Sequence, residues 1–361
     1  MKATVHQQHL AQALTPLSRV ANSRTLPILT NVLLEADDNG LTLTATDLDV
    51  MLQYTAPATI SEKGKTTLPA KFLLDLIKNM PSEDLELSEE TDKMTIKSNS
   101  HKAILNGVDA ENYPVIPKVE NKLQIVMSSA ALKPALERVL LCASQDQSRP
   151  ILTAVYFKTF DKALYVVATD SYRLGEAKVC ATDKEIEVMI PAASLMHLMA
   201  AMSKTPMDIT LTLDDAQAMF EVGDMDIVIR LLDGKYPDYR KLINAGNRSA
   251  IVDQEQFETV VKVAGIFAKE SADSIVMTLD EAKQEIEVHS VASQLGENTS
   301  RAEAKITQSG TIALNAKYLA QALAVMGKED IKIEMGDKLA PMLFTIPTDD
   351  TYRHVIMPVK S

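Results

Sequence analysis

The stretch LPILTNVLLEADDNGLTLTATD, residues 26–47, recurs without a gap 123 positions later as RPILTAVYFKTFDKALYVVATD, residues 149–170. Ten of the 22 aligned pairs are identical, among them Pro27/Pro150, Leu29/Leu152, Thr30/Thr153, Thr46/Thr169 and Asp47/Asp170. A chain that repeats itself at a long fixed period is built from like units, and this constrains the fold before any element is assigned. The repeat continues in LPAKFLLDLIKNMPSEDLEL (68–87), IPAASLMHLMAAMSKTPMDITL (190–211) and a fainter LNAKYLAQALAVMGKEDIKI (314–333), so there are three copies.

Each copy opens on an apolar stripe at helical spacing: Leu10, Leu14 and Leu17; Leu132, Leu136 and Val139; Phe257, Val261 and Ala264. A second stripe follows in each, through Leu73, Leu76, Ile77 and Met80, through Leu195, Leu198, Met199 and Met202, and through Leu319, Leu323 and Met326. Such stripes predict amphipathic helices with one buried face. Alternating segments between them, such as LTLTATD, LYVVATD and IEVHSVA, predict half-buried strands. The polar, aperiodic stretches KVENKLQI (118–125) and KLINAGNRSA (241–250) read as linkers. The expected domains are therefore 1–120, 124–245 and 250–361. Pro16 should kink the first helix, and Pro134 should sit in the first turn of the third.

The composition excludes several classes. With 2 Cys in 361 residues there is no disulfide framework, and with neither a signal-like start nor a long apolar run the expectation is a soluble cytoplasmic protein. No glycine-rich nucleotide fingerprint, phosphate loop, His-Glu-x-x-His or Cys-x-x-Cys is present, and the 6 His residues are scattered. Neither a metal nor a cofactor is expected, and Cys180 reads as a buried structural thiol. Asp47 and Asp170 could be offered as a catalytic carboxylate pair, making the chain a duplicated hydrolase. The simpler reading is that each closes a strand by accepting from turn amides. The net charge of −12 argues against nucleic acid at first sight, yet the six helical segments together carry +5 and the remaining chain −17. The helices are scarce in aromatics, so base stacking on single strands is not suggested; a weak positive surface suits transient contact with duplex phosphates.

The three tandem copies, with VATDSYRL (167–174), DGKYPDYRKLI (233–243) and a terminal VIMPVK (355–360), resemble the bacterial sliding clamp family, the beta subunit of the replicative DNA polymerase, over the whole chain. The resemblance implies an α+β fold: three tandem copies of a two-helix, two-antiparallel-sheet DNA clamp domain, closing as a head-to-tail dimeric ring. It implies a non-enzymatic processivity factor that encircles duplex DNA, is placed there by a clamp loader, and tethers the polymerase catalytic subunit and other polymerases and repair proteins through short peptides. A repeat scaffold that binds proteins without enclosing DNA is the alternative.

Carried over by motif, the peptide pocket would have Leu152, Leu174, Leu242, Ile356 and Met357 as its floor, Pro237 and Pro358 as a wall continuing to Val359, and Thr169, Ser171, Tyr172, Arg173 and Lys241 as polar surroundings. Asn315 and Tyr318 would be the third copy's contribution. Arg24, Lys71, Lys78 and Arg149 would meet DNA, whereas the second copy's second helix has no Lys or Arg before Lys204. At the dimer seam, Ala103 and Leu105 of the strand KAILNG would face Ile266 and Phe267 of a partner. Tyr172 and the Lys360-Ser361 ending depart from the family pattern and imply altered peptide preference.

Overall fold

The computed structural model describes the chain apart from residues 23–25, 116–118, 121, 204, 244–245, 338 and 360–361. Arg24, Lys204 and the Lys360-Ser361 ending thus lie outside the described residues. Six α-helices stand among the described residues where the stripes place them: α1 Gln7–Val20, α2 Ala70–Asn79, α3 Ser129–Leu140, α4 Ala192–Ala201, α5 Gln254–Ala268 and α6 Ala316–Val325. Their stripe residues are buried, with Leu76 and Met199 half-buried at the margins.

Pro16 does not end α1. It removes the amide that would bond to the Gln12 carbonyl, while the hydroxyls of Thr15 and Ser18 donate to the carbonyls of Ala11 (2.7 Å) and Thr15 (3.2 Å) around it. Pro134 lies beyond the first turn of α3, contrary to the sequence reading. The two stretches taken as linkers are also partly structured. Leu123–Ser128 and Arg248–Val252 are strands, and Arg240–Leu242 is a short 3-10 turn. Both strands alternate in burial, Ile125 and Met127 in one and Ala250 and Val252 in the other facing inward, a period of two that the two stretches carry only in their last residues.

The chain divides into two compact units, residues 1–130 with 193–231, and residues 131–192 with 232–361. The units cut across the repeats because strands of the middle repeat are hydrogen-bonded into sheets of its neighbours. In the first unit an eight-stranded antiparallel sheet runs Leu123–Ser128, Asp208–Leu213, Gln217–Val222, Met225–Arg230, Val50–Ala56, Gly40–Thr46, Asn31–Asp37 and Gly64–Pro69. A five-stranded sheet in the same unit ends on Lys102–Asn106. In the second unit one continuous sheet joins Arg173–Ala181 to Asp349–Ile356, in register Arg173↔Ile356 and Leu174↔Val355. The first unit makes the equivalent join, Val50↔Ile229 and Met51↔Val228. Each time, the strand that follows the Ala-Thr-Asp turn of one repeat pairs with the last strand of the next.

The duplication extends to side-chain detail. Both PILT blocks form 3-10 turns, Pro27–Thr30 and Pro150–Thr153, in which the Thr hydroxyl donates to the Pro carbonyl at 2.7 Å. Gln7 and Gln254, at the starts of α1 and α5, donate their amides to the carbonyls of Ile77 (2.7 Å) and Leu323 (2.9 Å), so the two helices of those repeats are tied alike.

Behind the second join, His354 is fully buried beside Tyr352 and Cys142. The Tyr352 hydroxyl donates its single proton to the Arg138 carbonyl (3.0 Å), so at 2.7 Å it receives Nδ1–H of His354. Nε2 is left without a partner among the described residues. A proton there would be buried and unsatisfied, and burial, with the Arg173 charge second, brings the His354 pKa down to about 3. The unfolded chain, with an ordinary value near 6.5, binds that proton first, so stability present above about pH 6.5 is lost as pH falls toward 3. Each unit of pH in this window costs about 1.4 kcal/mol. Urea unfolding followed at pH 7 and pH 5 should therefore show a loss that His354→Phe reduces by about 2 kcal/mol; an equal loss in both proteins contradicts this account.

Candidate functional site

The region marked by VATDSYRL, DGKYPDYRKLI and VIMPVK comes together in the second unit. It begins with the turn after strand Ala163–Thr169. Asp170 Oδ1 accepts from the amides of Tyr172 (2.9 Å) and Arg173 (3.0 Å), and the Thr169 hydroxyl donates to the Arg173 carbonyl (2.7 Å) while accepting from the Ser171 amide (3.1 Å). Ser171 is held at φ 81°. The first repeat builds the same turn: Asp47 Oδ1 accepts from Asp49 and Val50 (3.0 and 2.9 Å), Thr46 bonds Val50 and Leu48, and Leu48 sits at φ 83°. The two aspartates are turn-closing acceptors, each occupied by two backbone amides.

This turn fixes what lies around it. The tail is laced to it by the Met357 amide donating to the Tyr172 carbonyl (2.8 Å), and the Val359 amide donates to the Ala313 carbonyl (2.9 Å). Ile356 is fully buried, while Met357, Pro358 and Val359 are half-buried. Leu174 belongs to the core, packed with Val355, Tyr236, Tyr239 and Met189. Leu152 is the buried residue of the PILT turn. Leu242, Pro237 and Lys241 are exposed, and Lys241 pairs with Asp238 at 2.9 Å. Tyr172 is 59% exposed at the lip.

Arg173, expected as a polar rim group, is committed internally. Its Nε donates to Asp170 (3.0 Å), its Nη1 to Gln321, and its guanidinium lies 4.4 Å from the Tyr318 ring centre. Asn315 likewise caps α6, accepting from the Tyr318 amide at 3.0 Å. The sequence reading missed Glu176. This buried carboxylate accepts from the Tyr239 hydroxyl (2.6 Å) and Arg353 (2.9 Å), with Arg240 at 3.4 Å. Burial first, then the Glu176 charge, pushes the Tyr239 hydroxyl far up from its usual range. Tyr236 stacks on Tyr156 with ring centres 4.6 Å apart, and Arg240 lies over Phe160. The YPDYRKLI segment is thereby clamped beside the tail.

Among the other expected residues, Lys71 and Lys78 are exposed on α2, and Lys71 donates to Asn22 (3.1 Å). Arg149 is exposed, 3.3 Å from both Asp146 and Ser171 Oγ. Ile266 is 65% exposed near the end of α5, with Phe267 half-buried. One expectation is corrected: Leu105 is buried in its own unit and Ala103 half-buried, whereas Ile104 is 59% exposed. Side chains alternate along a strand, so pairing with Lys93–Lys97 turns Leu105 inward and Ile104 outward. Cys180 is half-buried rather than buried, and burial raises its pKa, so it is no ready nucleophile. No metal-holding cluster of His, Cys, Asp or Glu occurs among the described residues, and no described helix is long and apolar enough to cross a membrane.

Three antiparallel repeats, joined strand to strand, with a tail laced beside the second join, define a clamp-type chain. Models of the DNA polymerase III beta subunit match it end to end: the N-terminal domain over residues 1–117, the central domain over 126–238 and the C-terminal domain over 242–360. The beta sliding clamp of Synechocystis sp. is 31% identical, over the whole chain and 99% of the relative, and that of Staphylococcus aureus is 27% identical over the whole of both. The crystal structure of the Bacillus subtilis DNA polymerase sliding clamp superposes with a TM-score of 0.94 at 27% identity, covering all of this chain and 99% of that one. The chain belongs to the DNA polymerase III beta subunit family.

The duplicated turns allow an internal comparison. Asp170→Ala removes the acceptor of two backbone amides and the anchor of Arg173, whereas Asp47→Ala removes the acceptor of two backbone amides only, since Val50 stands in the place of Arg173. With hydrogen bonds worth about 0.5–1.5 kcal/mol each, and those to charged groups about 1.5–3, Asp170→Ala should be the more destabilising by at least about 1 kcal/mol. Equal costs in urea titrations would show that the Arg173 anchor contributes nothing.

Proposed function

We propose that this chain is a non-catalytic processivity factor which, with a second copy, closes a ring around duplex DNA and tethers the replicative polymerase. The observation that carries this reading is the joining rule. Twice within the chain, the strand after a turn pairs with the last strand of the next repeat. That rule leaves two unused edges. Lys102–Asn106, the last strand of the first repeat, has one neighbour, and Gly296–Ile306, the third repeat's equivalent acceptor, is paired on its second side only at Ala304–Ile306. Unpaired edges call for a partner. Lys102–Asn106 of one copy laid on Gly296–Ile306 of another, and the reverse, gives two equal seams related by a two-fold axis. Ile104, Ala103 and the Ile266–Phe267 pair supply apolar contact at each seam, with Leu105 as the strand's inward anchor.

Three domains per copy, 1–120, 124–245 and 250–361, then make six walls. The net positive helices, with Lys71, Lys78, Arg149 and Arg24, face the phosphates; the acidic remainder faces outward. Few and weak phosphate contacts permit sliding, because little is gained at any one register. A clamp loader is needed, since a closed ring has no lateral entry. The pocket around Leu152, Leu174, Leu242, Ile356 and Met357 receives short peptides of the polymerase catalytic subunit, other polymerases and repair proteins, and the reading places the protein in the cytoplasm with no cofactor.

Retention on DNA tests the ring. Loaded by its clamp loader, the protein should stay on a nicked circle and leave it once the circle is cut. Ile266→Ala with Phe267→Ala, which removes roughly 1.5–3 kcal/mol per large side chain buried at each seam, should give monomers by light scattering and no retention. Equal retention on circles and lines would favour the scaffold that does not enclose DNA.

The tail has its own test. Deleting residues 357–361 removes the Met357 anchor and its bond to Tyr172. A few anchors carry most of such an affinity, so binding of a Gln-led, Leu/Phe-ended peptide should weaken by at least about tenfold, or 1.4 kcal/mol, with the melting curve little changed. Undiminished binding would remove the tail from the site.

A further inference from the structure

A cleft of about 380 Å³ opens over the first join, inside the first unit. It is the internal counterpart of the region around the second join. Thr46, Leu48, Asp49, Val50 and Met51 in its lining stand 123 positions before Thr169, Ser171, Tyr172, Arg173 and Leu174. Pro114 in its wall stands 123 before Pro237, each preceded by a tyrosine, Tyr113 and Tyr236. The backbone lacing is also shared: the Arg230 amide donates to the Asp49 carbonyl (3.0 Å) as the Met357 amide does to that of Tyr172 (2.8 Å).

The turn and its lacing are kept while the side-chain chemistry is changed. Arg230 takes the place of Met357, and Val50 that of Arg173. Leu48 is 54% exposed and Val115 93% exposed, so the cleft has apolar lips that the described residues of its own unit leave open. Gln217 Oε1 is a buried acceptor with no partner among the described residues. Arg230 is exposed, and among the described residues no carboxylate lies within 4 Å of it. Asp49 is the other charge in the lining.

We propose that this cleft is a second peptide-binding site, distinct in specificity from the one at the second join, for a short extended segment that carries an acidic residue between aliphatic ones. Aliphatic side chains fill the space between Leu48, Val115 and Met51. A peptide amide donates to Gln217 Oε1, which buried polar atoms require. The acidic side chain pairs with Arg230, a charge-assisted bond that the cleft otherwise lacks. The volume is at the small end of the range of roughly 300–1,000 Å³ for ligand pockets, which suits two or three anchoring side chains and not a folded domain. Nothing in this proposal depends on peptide binding at the second join, and the two are separable.

The test uses the full-length protein and a panel of fluorescein-labelled hexapeptides in which two of Leu, Ile or Val flank one Asp or Glu, read by fluorescence polarisation. At least one member should saturate at micromolar to submillimolar concentration. Arg230→Glu should weaken it at least tenfold, and exchanging the peptide's acid for Lys should restore binding to that variant. Val115→Asp should weaken the original peptide as well. Both side chains are exposed, so melting curves should be unchanged. The protein lacking residues 357–361 should bind the panel as the intact chain does. Three results overturn the proposal: no panel member saturating; binding lost on truncation but kept in Arg230→Glu; or Arg230→Glu or Val115→Asp altering the oligomeric state in sedimentation, which would make the cleft a contact between copies.

Discussion

The pairing of strand edges governs this molecule. A sheet ends in a row of unpaired amides and carbonyls, and a chain built from antiparallel repeats must pair each such edge, cover it or spend it on a partner. Here the strand after each Ala-Thr-Asp turn is spent on the next repeat, at Val50–Ala56 and at Arg173–Ala181. The compact units therefore cut through the middle repeat, and Lys102–Asn106 and Gly296–Ile306 are the strands for which the same rule would require a second copy.

The turns make the joins specific. A strand pair can slip by one residue and reverse every side chain. Asp47 and Asp170 prevent this by accepting two successive amides each, with Leu48 and Ser171 held in the left-handed region. At the second join a further layer is added. Glu176 holds Tyr239, Arg240 and Arg353 together, and Arg173 is held by Asp170, Gln321 and Tyr318. A carboxylate this deeply buried requires charged partners, so the tail strand and the YPDYRKLI segment are placed by one group.

The two joins show how duplication yields different surfaces on one frame. Backbone lacing and turn geometry are the same, while the residue whose amide makes the lacing bond is Met357 in one and Arg230 in the other. Rim charges fix register and discrimination more than raw affinity. The two joins thus present unlike side chains on one backbone frame, and under the proposal above they would take unlike peptides.

The sequence by itself determined the three repeats, six helices and the turn role of Asp47 and Asp170, while the meeting of VATDSYRL with VIMPVK was implied by the family resemblance. These are legible because they rest on local period, on bonds spanning two or three residues, or on likeness between copies. Tertiary structure alone decided that Ile104 and not Leu105 faces outward, since a strand's exposed face is set by its pairing register. It also decided that Arg173 is internally engaged while Arg230 is open. The partners of Glu176 lie 63 and 177 residues away, and no local pattern reports a bond between residues that only the fold brings together.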